Sequence, residues 1–308
     1  MSRPSAVVRW VRSYLLRFFA APVDARAAAL LRLSIGAVAL WQCVGIWLNL
    51  DRYWGPLGFV PYKLVANDRM FWLTALAWAP ESTVWPSVVA SLFTASAVLF
   101  FVGFRARIFG LLLAYLHLSF QARNPFILNS GDSLFMIQLV LSSVAPLSGR
   151  WSVDAWLARR RGRSLAPGTV WGQRLVGLQI AYVYLNSTLA KLTNERWQDG
   201  MAMRDVLASP VFAEWPTYVD SRALVMLLTY SALVYEGVFP FVVWFRRLRP
   251  WFLAWGVIFH VSIDLTMVIP IFSAIMIASF PAFMTDEEVR TVFGLRGRSA
   301  RRALRRGS

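Results

Sequence analysis

This sequence is short of the residues that most small-protein chemistry relies on. Its 308 residues include one cysteine, Cys43, two histidines, His117 and His260, and two lysines, Lys63 and Lys191. An internal disulfide framework and a Cys/His zinc cluster are therefore excluded, and no metal site is expected. Charge is scarce too. Only 16% of residues are charged and 57% are hydrophobic, against roughly 25% and 45–50% in soluble domains. A soluble domain is thereby ruled out. Acidic residues are half as numerous as basic ones, which leaves a net charge of +16. Such an excess commonly marks nucleic-acid binding. No internal repeat and no nucleotide-binding glycine loop is present.

What the chain does have is long stretches free of charge. Eight stand out: Leu33–Leu50, Ser82–Phe104, Ile108–Ala122, Ser133–Gly149, Leu175–Ala190, Ala223–Phe245 (interrupted by Glu236), Pro250–Ile263 and Leu265–Thr285. A bilayer core of about 30 Å takes roughly 20 helical residues. The shorter runs reach that length when flanking arginines snorkel to the interface. Met70–Pro80 is apolar but short, and reads as interfacial or re-entrant. The expected fold is all-α, a polytopic membrane protein of about eight transmembrane helices.

The arginines give the orientation. With the N-terminus cytoplasmic, every connection on that side is net positive, whereas those on the other side are neutral or slightly negative. That is the positive-inside pattern, with both termini cytoplasmic. It also accounts for the basicity without nucleic acid. Residues 1–22 interleave Arg9, Arg12 and Arg17 with Val7, Trp10, Leu15 and Phe18, as in an amphipathic segment on the inner leaflet rather than a cleaved signal. Residues 23–285 form the eight-span domain, and 286–308 a basic cytoplasmic tail. Fifteen tryptophans suit interfacial belts.

Ionisable groups inside spans are costly, so each is a functional candidate. Under this topology Asp132, Lys191, His260 and Asp264 lie at outer mouths of spans, His117 lies in an outer half, and Glu236 is nearer the middle of its run. Lys191 is either a general base with a desolvated amine or a snorkelling helix end. His260 and Asp264 share a helix face, where the carboxylate either orients the imidazole or simply fixes the helix against a neighbour. Asn129-Ser-Gly131-Asp132 either caps the following helix or forms the polar wall of an outward-facing cavity. Arg32 reads as structural.

At these residues the sequence resembles a family. Tyr182–Asp199, YVYLNSTLAKLTNERWQD, is similar to the stretch around the lysine of vitamin K-dependent γ-glutamyl carboxylases, with Tyr184, Ser187, Lys191, Leu192, Trp197 and Gly200 in register. Thr188 stands where that pattern has glycine. Trp151-Ser-Val-Asp154 resembles a second element. Phe259-His260 followed by Ile271-Phe272-Ser273 and Met276–Ser279 resembles a third. The wider group is the HTTM (horizontally transferred transmembrane) family, which includes the carboxylases and bacterial sporulation-delaying-toxin maturation proteins.

The resemblance covers residues 24–285. It implies a site on the exoplasmic face in which Lys191 deprotonates a reduced quinone of vitamin K or menaquinone type and His260 is a site histidine. Where the carboxylases carry a histidine before the fourth span, this chain reads Asn129-Ser-Gly131-Asp132, so Asp132 is the catalytic candidate in its place. Trp197, Asp264, His117 and Asn129 are candidate cofactor contacts. The carboxylases' luminal β-rich region has no counterpart here, so a domain-only, bacterial inner-membrane protein with a periplasmic site is expected. Two functions follow. One is a quinol-linked, carboxylase-like lyase or oxygenase. The other is a non-enzymatic maturation, export or immunity partner of a secreted peptide. Beyond the lipid bilayer, the expected partner is such a peptide or protein.

Overall fold

The computed structural model describes residues 6–165, 168–211, 213, 215–269 and 271–294. Each of the eight uncharged runs contains one principal helix. These are α2 (Arg26–Tyr53), α3 (Trp85–Val102), α4 (Ala106–Arg123), α5 (Ser130–Ser142), α6 (Trp171–Leu192), α7 (Arg222–Val242), α8 (Arg249–Thr266) and α9 (Phe272–Ser279), preceded by α1 (Ala6–Ala20). Three of them, α2, α3 and α7, are long and apolar enough to cross a membrane by length and composition. The last run departs from the expected continuous span. Its first two residues finish α8, Ile271 takes a positive φ of 70°, and α9 begins only at Phe272. A β-branched residue in that region is strained, and the helix cannot continue through it.

Local chemistry sets the ends. Gly103 stops α3 with φ 73°; a Cβ there would collide with Ser152 and the Arg32 guanidinium. Asn129 and Asp132 open α5 with a reciprocal capping box: Asn129 Oδ1 accepts from the Gly131 amide at 2.7 Å, and Asp132 Oδ2 accepts from the Asn129 amide at 3.1 Å. Both otherwise orphaned donors are thereby satisfied.

Hydrogen bonds gather alternate chain ends together. At one end Arg32, fully buried, donates to the carbonyls of Leu147 (3.0 Å), Phe100 (3.2 Å), Phe101 and Trp151 (2.5 Å). Near it Asp286 accepts from the Asp24 amide (2.6 Å), Arg150 pairs with Asp24, and Arg249 pairs with Glu288 at 2.7 Å. At the opposite end Trp54 donates to the Phe120 carbonyl (3.0 Å) and Asn124 to that of Tyr53 (3.1 Å). Helices α2 and α4 therefore run parallel, with α3 antiparallel between them in the chain. The arginine-rich connections lie at the Arg32 end, as the charge pattern anticipates.

Phe93, Phe100, Phe135, Tyr184, Phe239 and Phe283 form the buried centre. The outside is apolar as well: Trp41, Val44 and Leu48 on α2, Phe241 on α7, and Trp251, Trp255 and Ile258 on α8 are all exposed. An exterior of this kind suits a hydrocarbon solvent rather than water.

Candidate functional site

The sequence-predicted residues fall into three groups near the end opposite Arg32. Helices α6 and α7 pack closely where Thr188 faces Gly237, at which a Cβ would come within 3.3 Å of the threonine methyl. This approach lets Lys191 Nζ donate to Glu236 Oε2 at 2.5 Å. The two side chains are 19% and 7% exposed. Trp197 lies over the ammonium at 4.6 Å from its ring centroid, a cation–π contact that shields the pair's open side. Trp197 itself is set by the turn after α6, where Asn194 caps a short helix over Glu195–Gln198.

His260 forms the second group. It is buried, and its Nε2 lies 2.6 Å from the Tyr184 hydroxyl. Neither reading of the His260–Asp264 pair is met: Asp264 is exposed and has no hydrogen bond or ion pair among the described residues. Asp264 lies in the last turn of α8, while His260 turns inward to Tyr184 of α6. Tyr184 is braced by the rings of Phe239 (4.4 Å) and Tyr235 (5.6 Å).

The third group lines a cavity of about 400 Å³ between α2, α4 and the entry to α5. His117, Asn129 and Asp132 all border it, with Trp41, Tyr53, Trp54 and Phe120 as aromatic walls. His117 Nε2 lies 2.7 Å from Gln121 Nε2, 3.2 Å from the Asp132 carbonyl and 3.7 Å from its carboxylate. Asp132 thus serves both readings at once, as helix cap and as cavity wall. Three of its lining residues, Gln42, His117 and Asn124, each carry a side-chain atom that is closed off from the cavity and lacks a hydrogen-bond partner among the described residues: Gln42 Nε2, His117 Nδ1 and Asn124 Oδ1.

Lys191 does not line this cavity. The chain between His260 and the cavity is the strained turn, with Ile271 on the cavity wall and the Phe272 ring 5.7 Å from His260. Glu236, the one acidic residue in its run, is open in the sequence to either a proton path or a helix-packing hydrogen bond, and its partner Lys191 was not legible there. Sequence reasoning passed over Gln42, whose signal was a polar amide inside Leu33–Leu50. Outside the spans, Arg196 binds Asp205 at 2.5 Å. That hydrogen bond holds the Asp205 carboxyl below its ordinary range and the Arg196 guanidinium above its own.

Parallel and antiparallel apolar helices, a lipid-suited exterior and buried ionisable pairs define a polytopic helical membrane protein. Its family is equally plain: the HTTM domain model matches residues 20–287, and the chain belongs to that family. It is similar to the sporulation-delaying protein SdpB of Bacillus subtilis (strain 168), 23% identical over 235 residues, covering 71% of each chain. No solved structure matches.

Proposed function

We propose that this HTTM protein is a quinol-linked enzyme of the bacterial inner membrane, with Lys191 as general base on the periplasmic side. The observation that carries this reading is the 2.5 Å contact between Lys191 and Glu236 inside two packed helices. Proton transfer from Lys191 to Glu236 leaves a free amine positioned beneath Trp197. The side assignment follows from the arginines at the opposite end.

The residues present fit a reduced quinone. Four aromatic side chains enclosing about 400 Å³, with His117, Asn129 and Asp132 on the lining, suit a flat ring bearing oxygens. When bound, such a quinol supplies an ionisable ring hydroxyl and reducing equivalents for O₂. His117 and Asp132 border its space and hold protons there. Lys191 lies outside that lining, so in this reading its proton would come from a substrate group presented beside Trp197. Tyr184 fixes the orientation of His260.

The test is mass spectrometry of quinones extracted from purified wild type and Lys191→Ala, followed by supply of the reduced quinone under O₂. Co-purified quinone in both, with epoxide formed only by wild type, supports the enzyme. No quinone and no epoxide in wild type refutes it. Similarity to SdpB favours a second reading, a non-enzymatic partner in the maturation, export or immunity of a secreted peptide. Under that reading Lys191→Ala leaves peptide processing in cells unchanged.

A further inference from the structure

We infer that the groove between α8, α9 and the helix Asp286–Val292 seats one phosphatidylethanolamine molecule, its phosphate on Arg246 and its ammonium on Glu287. The site lies at the Arg32 end of the bundle, away from Lys191, and is independent of the quinone reading.

The groove is apolar along its length. Leu253, Ala254 and Val257 of α8 face Ile277, Phe280 and Met284 across about 590 Å³, a volume within the range of small-molecule pockets. Spacings of three and four residues put the α8 members on one helix face. At Gly256 a Cβ would come within 2.7 Å of the Phe280 ring. That glycine lets α8 settle on Phe280, and the ring separates the groove from the core. From Arg249 to Val257 the groove follows α8 for eight residues, about 12 Å, against about 15 Å for the apolar depth of one leaflet. Ala254 and Val257 are exposed, as are Trp251, Trp255 and Ile258 around them. The groove therefore opens sideways, onto the face suited to hydrocarbon.

The rim selects the lipid. Two ion pairs stand there, and one is already committed. Arg249 is buried and donates to the Val243 and Trp244 carbonyls and, at 2.7 Å, to Glu288. Glu288 Oε2 also accepts from the Thr285 amide. Arg246 and Glu287 are instead 65% and 68% exposed and share a single contact of 2.7 Å. An exposed pair of this kind contributes little, so it opens readily to a ligand that meets both charges.

The lining carries two arginines and two glutamates, while Arg247 and Arg290 stand outside it. A locally neutral rim, on an end whose connections are net positive, does not select an anionic lipid. A zwitterionic headgroup matches it: the phosphate accepts from the Arg246 guanidinium and the ammonium donates to the Glu287 carboxylate. Choline has no N–H to donate, which leaves ethanolamine.

Native mass spectrometry of the purified full chain in detergent tests this, with equal amounts of dioleoyl phosphatidylethanolamine, phosphatidylcholine and phosphatidylglycerol added. Wild type is expected to retain one ethanolamine lipid about fivefold or more over either competitor, the worth of one charge-assisted hydrogen bond. Glu287→Ala should bring ethanolamine and choline lipids to within about twofold of each other by removing that bond. Ala254→Trp, which fills the groove from its exposed wall, should abolish the single-lipid adduct. Both positions are exposed, so both variants should melt as wild type does. Equal retention of the three lipids by wild type means an unselective annulus, and preference for phosphatidylglycerol means an anionic-lipid site. Either result overturns the inference. So does an ethanolamine preference that survives Glu287→Ala, or an adduct that survives Ala254→Trp. None of these results bears on the quinone reading.

Discussion

Replacing either partner of the Lys191–Glu236 pair separates a desolvated proton-handling pair from a solvated helix end. Glu236 is 7% exposed and Lys191 19%, so removing one charge strands the other in a largely apolar setting. Breaking a buried pair in this way costs about 3–5 kcal/mol. Some solvent reaches the lysine, so the lower half of that range is expected for Glu236→Gln. Replacing both, as Lys191→Met with Glu236→Leu, removes the stranded charge and should recover most of the loss. The coupling read from the four proteins should therefore be at least about 2 kcal/mol. Reversible unfolding in mixed micelles, followed by intrinsic fluorescence, gives the four stabilities. The same proteins are then assayed for quinol oxidation. Restored stability with no restored activity identifies a working pair. A cost below about 1 kcal/mol for Glu236→Gln would mean a solvated surface contact. The base assignment would fall with it.

Gly131 sits against the α9 start, where a Cβ would meet the Phe272 amide nitrogen at 2.5 Å. Gly131→Ala should cost about 1–3 kcal/mol by overpacking, seen as a lowered melting temperature with reduced naphthoquinone binding. Asp132→Asn keeps an oxygen that accepts from the Asn129 amide while removing the carboxylate, and should cost at most about 1 kcal/mol. Unchanged epoxide formation by that variant would reduce Asp132 to a cap. The Arg196–Asp205 contact lowers the folded-state carboxyl below its unfolded value. Its stabilisation is therefore present above the ordinary carboxylate range and is lost as pH falls through the folded value. Hydrogen exchange over residues 195–208 should accelerate in that acid window, and Asp205→Asn should remove the pH dependence.

How much of this was legible in sequence varies with the physics involved. Uncharged runs located α2 to α9, three of which are long and apolar enough to cross a membrane, because burial of apolar length is a one-dimensional property. The arginine pattern anticipated which connections share an end for the same reason. Pairings across helices were another matter. Lys191 and Glu236 are 45 residues apart, and their meeting depends on the close approach at Thr188 and Gly237. Helical spacing put His260 and Asp264 on one face, yet depth along α8 decided their fates, one buried against Tyr184 and one exposed near the helix end. The Ile271 turn divides the predicted site in two. A positive φ at a β-branched residue runs against local preference, so only the assembled fold reveals it.

Arg32 also constrains the order of assembly. Its guanidinium is satisfied by carbonyls from Phe100, Phe101, Leu147 and Trp151, groups that emerge from the ribosome long after the arginine does. The first helices can enter the bilayer as they are made, but a buried cation without acceptors is expensive. Until residue 151 has arrived, the α2–α3 hairpin satisfies that guanidinium only through Phe100 and Phe101. The first half of the domain is therefore fastened from behind, by a loop that follows α5. A chain interrupted before that loop should be recognised as unfinished and degraded.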